Sequence, residues 1–156
     1  WMKKSYLSLV DKHFSCLGVY QKLFMDKILE FEGLDAALYP CVGPLVMDPA
    51  VLKQNYNFPF RTTQAYRWFV AVNGEEVVGF IPVERRKSGW IMNNYYIKGR
   101  DETVLEALLQ RIMAVAAEER RTLMAISFLE DRDVFRRLGF EEVNVWKRYV
   151  KMVKNR

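Results

Sequence analysis

Residues 65–72, AYRWFVAV, and residues 77–86, VVGFIPVERR, are apolar, β-prone runs separated by Asn73, Gly74, Glu75 and Glu76. An Asn-Gly pair suits the tightest hairpin turns, whose central residues need positive φ, so the two runs are expected to pair antiparallel. A second turn, KSG at 87–89, leads to a third run, WIMNNYYI at 90–97. Together they predict a three-stranded meander. The next segment changes period: Leu105, Leu108, Ile112 and Val115 recur on one helical face, with a Thr103/Glu106 capping box at the start and an end near Arg120 and Arg121. TLMAISFL at 122–129 is then almost continuously apolar. That pattern predicts a strand buried on both faces and parallel to the one before the helix, which makes a right-handed βαβ unit. A short helix, RDVFRRL, stopped by Gly139, and a last strand, EEVNVWKRYVKM, complete this part.

The first third of the chain is less regular. SYLSLV at 5–10 alternates weakly and reads as a first strand. After Asp11, the steps of three and four between Leu17, Tyr20, Phe24, Ile28 and Phe31 predict a helix that Gly33 ends. YPCVGPL at 39–45 holds two prolines and a glycine and is expected to be irregular. Asp48 before Pro49 predicts an N-cap and a short helix to about Asn55. The following NYNFPFRTTQ is an aromatic loop in which Tyr56, Phe58 and Phe60 either wall a substrate site or anchor the loop on the core.

Composition narrows the class. With 156 residues, 51% hydrophobic and 28% charged, the chain suits one globular domain over 1–156. No run approaches the roughly 18 apolar residues of a membrane span, and the start lacks a signal-like layout, so the cytoplasm is the expected location and no membrane partner is expected. Cys16, Cys41 and His13 are too few for a disulfide framework or a zinc site, so no metal is expected. The 24 basic against 19 acidic residues give a net charge of +5, which suits an anionic ligand. They fall in short clusters, Arg85-Arg86-Lys87, Arg120-Arg121, Arg132 with Arg136-Arg137, and Lys147-Arg148, rather than one stripe, so nucleic acid is not the expected partner.

The order of elements, with NGEEVVGFIPVE and VFRRLGFEEV as its most specific pieces, resembles the GNAT N-acetyltransferase superfamily over residues 65–152. The resemblance implies an α+β (α/β) fold: a mixed, mostly antiparallel sheet of six or seven strands with flanking helices. Residues 1–60 then form a helical N-terminal part with acceptor-side loops, and residues 61–156 the hairpin, the acyl-CoA βαβ unit and the C-terminal strand. It further implies acetyl-CoA as cosubstrate and an amine acceptor that attacks the thioester directly. The strands WIMNNYYI and TLMAISFL would splay apart to admit the pantetheine arm. Tyr96, Ile97 and Lys98 would offer main chain to the thioester end. Gly99, Arg100, Asp101, Glu102, Thr103 and Val104 would lie under the pyrophosphate, which a helix N-terminus suits.

Two departures stand out against that family's pattern. Its phosphate loop, [QR]xxGx[GA], has small residues where this chain has Asp101 and Thr103, and Asp101 with Glu102 repels a diphosphate. Its proton-donating tyrosine is replaced by Phe135. Tyr95, Tyr96 and Tyr149 are the candidates for a substitute acid, and Glu84 and Glu130 the candidate bases. Asn93, Tyr56 and Phe58 are candidates for binding the acceptor. The competing expectation is a GNAT-fold protein without catalysis that binds a protein or nucleic-acid partner through its basic clusters. An exposed final strand could pair with a second copy to give a homodimer.

Overall fold

The structure, a computed structural model, describes residues 25–155. The SYLSLV segment, His13, Cys16 and most of the first expected helix lie outside the described residues. Within them the order is β1 (Lys27–Glu32), α1 (Leu38–Val46), α2 (Pro49–Gln54), β2 (Tyr66–Asn73), β3 (Glu76–Arg86), β4 (Gly89–Met92), β5 (Tyr96–Ile97), α3 (Glu102–Glu118), β6 (Leu123–Phe128), α4 (Arg132–Arg137), β7 (Glu141–Val145) and β8 (Tyr149–Lys154). Seven strands run β1-β2-β3-β4-β6-β8-β7 across one sheet, and β5 pairs with β3 off that path. All pairs are antiparallel except β4 with β6.

The first hairpin and the βαβ connection form as the pattern predicts, whereas the expected third strand over 90–97 is split into β4 and β5. The two-residue turn after Asn73 places Gly74 at φ +63°. On one face of the sheet, α3 buries Val104, Leu105, Leu108, Leu109, Ile112, Val115 and Ala116, and α4 adds Val134 and Phe135 to the same core. On the other face, α1 sets Leu38 and Val42 against Trp68, Val70, Val72 and Phe80. At about 25 cal/mol per Å² of apolar surface removed from water, these two cores supply the main drive to fold. Among the described residues no helix is long and apolar enough to cross a membrane.

Four expectations need correcting. The helix expected through Ile28 and Phe31 is β1 from Lys27 onward, paired with β2 over its whole length. Ile28 packs on the α3 side while Leu29 and Phe31 pack on the α1 side, so sheet alternation governs these residues rather than helical spacing. Gly33 ends no helix; a Cβ there would stand 1.9 Å from the Thr63 carbonyl oxygen, so the residue permits a close chain crossing. The YPCVGPL segment lies within α1 despite Pro44 inside it. Pro40 falls in the first turn, where no intrahelical donor is needed, and burial of Leu38 and Val42 offsets the bond lost at Pro44. The last expected strand is a hairpin, β7 and β8, closed by a bond from Trp146 N–H to the Tyr149 carbonyl at 2.8 Å. In β6, Met124 and Ile126 stay half-exposed, so only one face of that strand is fully covered.

Candidate active site

The third run of the meander is broken, and the break positions the site. β4 pairs with β3 up to Met92 opposite Val83, and β5 resumes with Tyr96 opposite Phe80. Residues 93–95 therefore oppose only Ile81 and Pro82, a bulge of one residue. Pro82 has no N–H to offer a ladder there, which favours the break. On its other side β4 pairs with β6 only from Trp90 opposite Leu123 to Met92 opposite Ala125. Past Met92 the two parallel strands part at their C-terminal ends, where sheets of this kind bind ligands.

The chain's own side chains fill the gap. Tyr95, buried, donates its hydroxyl to Asp131 Oδ2 at 2.6 Å and accepts the Phe128 N–H at 3.1 Å, so one phenol bridges the parted strands. Burial pushes the Tyr95 phenol well above its usual range, and the facing Asp131 carboxylate adds to this. Burial also raises Asp131, against the opposing Tyr95 hydrogen bond and Arg100 charge. From the end of α2, Gln54 Nε2 donates to the Ile97 carbonyl at 3.2 Å, on the strand edge that faces the gap. Tyr56 and Asn57, both left-handed at φ 54° and 64°, then turn the Tyr56 ring onto Phe128 and Tyr149, with centroids 6.0 and 5.8 Å away. Arg148 lies 4.5 Å over Tyr56, and Arg100 lies 5.4 Å over Phe128. The space left among Gln54, Tyr95, Ile97, Arg100, Leu105, Phe128 and Asp131 is about 10 Å³, no more than a water needs.

The turn into α3 is built for a cap. Gly99 and Arg100 are both left-handed, at φ 62° and 52°, and Asp101 is extended. Asp101 Oδ1 accepts from the N–H groups of Thr103 at 2.9 Å and Val104 at 3.4 Å. The cap is thus Asp101, not the Thr103/Glu106 box: a short carboxylate at the N-cap reaches the second and third amides of the helix. Lys98 is ion-paired with Glu76, and Arg100 pairs with Glu130 at 3.0 Å, so both nearby cations face carboxylates. A cavity of about 310 Å³ adjoins the turn, lined by Asn73, Glu76, Val78, Lys98, Gly99, Asp101 and Val104. Two of the N–H groups at this helix end are thus taken by Asp101, and Asp101 with Glu102 sets like charge against an approaching diphosphate.

Other candidate residues separate into two groups. Glu84 and Asn93 line one small cavity of about 40 Å³ beside the bulge, with Arg61, Tyr66, Arg86, Ile91 and Asn94. Glu84 is half-buried and paired with Arg86 at 2.6 Å. Asn94, left-handed at φ 59°, accepts from Asn55 Nδ2 at 3.3 Å, while Asn93 is exposed. Glu130 shares no cavity with Glu84; it sits with Arg100 near Phe128. Tyr96 points to the α1 face, 5.6 Å from Phe80, and burial raises its phenol. Phe58 is exposed, whereas Phe135 is fully buried, 5.3 Å from Phe140. The Tyr149 hydroxyl is buried without a hydrogen-bond partner among the described residues. Sequence reasoning did not single out Gln54 or Asp131. Gln54 carries no local signal, and Asp131 offered only its place directly after an apolar strand.

No protein family and no curated protein matches the chain by sequence. Solved structures do match in shape. An acyl-CoA N-acyltransferase from Pseudomonas aeruginosa superposes with a TM-score of 0.67 at 11% identity, covering 82% of this chain and 98% of that one. ElaA from Escherichia coli gives 0.66 at 14% identity, over 83% of this chain and 100% of its own. A GNAT family acetyltransferase from Elizabethkingia anophelis, solved with acetyl-CoA bound, gives 0.57 at 9% identity, over 83% and 97%. These likenesses show the fold: this chain has the GNAT acyl-CoA N-acyltransferase fold.

Proposed function

We propose that the protein is an N-acyltransferase that takes its acyl group, acetyl in the first instance, from acyl-CoA and passes it to an amine in the cytoplasm. The observation that carries this reading is the parting of β4 and β6 past Met92 after a one-residue bulge. The Ile97 carbonyl on the freed edge is a polar site an amide-bearing arm could use once Gln54 withdraws. Glu84, with Asn93 across the same cavity, is the group best placed to accept the proton of an incoming amine. On this reading the main chain of Tyr96, Ile97 and Lys98 would serve the thioester end, and Gly99, Arg100, Glu102, Thr103 and Val104 follow at the turn into α3. No step is assigned through the diphosphate, because Asp101 holds the amides it would use.

A second reading has its own support: the fold serves as a non-catalytic binding module. The Asp101 cap and the Gln54 and Tyr95 bridges favour it, since each satisfies a group that a donor would otherwise satisfy. One calorimetric experiment separates the two. Acetyl-CoA is titrated at constant ionic strength into wild type and into Asp101→Ser, which keeps a cap but removes the charge. Under the acyltransferase reading both bind, and the variant binds about tenfold more tightly. Absence of saturable binding in both proteins at millimolar acetyl-CoA rejects the donor and leaves the binding module.

A further inference from the structure

Three large apolar side chains that remain exposed, Leu34, Tyr39 and Met47, each at 68%, stand around one cavity. Leaving such surface in water is unfavourable, and its grouping at a concave place marks a site where apolar matter binds. The cavity measures about 480 Å³, within the roughly 300–1,000 Å³ of small-molecule sites. One wall is α1, where Leu38, Val42 and Val46 recur every four residues on one face. The other is Trp68 of β2 with the loop at 60–62. That loop is held in place: Thr62 Oγ1 donates to the Gly33 carbonyl at 2.9 Å and accepts from Trp68 Nε1 at 2.9 Å. The Phe60 ring meets Phe80 edge-on, with centroids 5.0 Å apart. The walls therefore need no ligand to form them.

This space continues into the candidate active site. Phe60 and Arg61 line it and also line the cavity of about 40 Å³ that holds Glu84 and Asn93. The smaller space has room for an amino group and little more. A molecule that reaches from one to the other presents its amine to Glu84 and leaves its body among apolar side chains. Charge limits that body further. Arg61 belongs to both spaces and Arg86 to the smaller one, so a second cation on the same molecule meets like charge.

Building on the acyltransferase reading above, we propose that the acyl acceptor is a primary amine with one positive charge and an apolar body, aromatic or short aliphatic, seated in this cavity. In the transfer the amine nitrogen bonds to the acyl carbon and the thioester C–S bond breaks. The nitrogen's proton passes by way of Glu84 to the departing sulfur, so the products are one amide and one thiol. A polycationic acceptor is disfavoured, because its further ammonium groups would lose hydration beside Leu38, Val42 and Trp68.

The test is calorimetric titration of the full chain with 2-phenylethylamine and with spermidine at fixed ionic strength, beside release of free thiol from acetyl-CoA in the presence of each amine. Val46→Trp fills the cavity, and Tyr39→Ala removes part of its rim at an exposed position. Val143→Ala, on β7 at the other edge of the sheet, is the control. Wild type should bind 2-phenylethylamine at least about tenfold more tightly than spermidine and release thiol with it. Val46→Trp should weaken that binding about tenfold and Tyr39→Ala about threefold, while Val143→Ala leaves it unchanged. Tyr39→Ala carries the result if Val46→Trp fails to fold. When acetyl-CoA binds, a failure of 2-phenylethylamine to bind saturably or to release thiol overturns the apolar acceptor and leaves the acyltransferase reading standing. Saturable binding of the amine with no binding of acetyl-CoA removes the acyltransferase reading and the acceptor role with it. A dimer in sedimentation that both cavity variants break also overturns the proposal, in favour of a second copy seated there.

Discussion

Burial of the Asp131 carboxyl beside the Tyr95 hydroxyl raises its pKa, and the sign of that shift fixes a response to pH. A carboxyl whose folded pKa is raised contributes stability that is complete below the unfolded value, near 3.9, and is lost as pH rises through the folded value. Asp131→Asn keeps an oxygen to accept from Tyr95 and removes the charge. Relative to wild type, this variant should therefore gain stability between pH 3 and pH 7. Urea unfolding at both pH values measures it, and a difference that stays constant or falls with pH contradicts the burial argument. The Tyr95 hydroxyl has two bonds to satisfy, whereas Asp101 satisfies two main-chain donors from one oxygen. If the proposed acyl transfer holds, single polar atoms at both places occupy positions that a donor molecule would need.

At the scale of elements, β1 and α3 are tied through Glu30, which accepts from Arg67 at 2.7 Å within the sheet and from Arg111 of α3 at 2.7 Å. Burial acts to raise the Glu30 pKa, but the Arg111 and Arg67 guanidiniums outweigh it and hold the carboxyl below its usual range. Stability from this group is present above the unfolded value, near 4.3, and is lost as pH falls through the lowered one. Glu30→Gln should thus cost about 1 kcal/mol at pH 7 and almost nothing near pH 2, read from urea midpoints. α1 carries a different lesson. Its two prolines argue for a loop, yet the apolar stripe of Leu38 and Val42 finds Trp68 and Phe80, and packing overrides local preference.

Across the whole molecule, stability should grade from centre to edge. β2 and β3 are buried through their middles, and α3 covers the larger core, whereas every residue of β7 is exposed. Amide exchange should be slowest in β2, β3 and α3 and faster in β7 by at least about a hundredfold, because edge amides open without global unfolding. Uniform protection across all strands would contradict this picture. The parted strands belong to the same gradient: the sheet is continuous at one end of β4 and β6 and bridged only by side chains at the other.

The sequence alone determined the first hairpin, the βαβ unit, the short terminal helix and, through their order, the fold, because those elements rest on local periodicity and turn chemistry, but not the break in the third run at 93–95. It also placed Asp101 and Glu102 at a helix start where an anion would meet like charge. Only the tertiary structure decided that Ile28 and Phe31 lie in a strand, since strand pairing needs a partner far along the chain. It likewise decided that Gln54, Tyr95 and Asp131 meet in the gap between β4 and β6. Contacts between residues tens of positions apart are fixed by sheet register and bulges, and no local pattern records them.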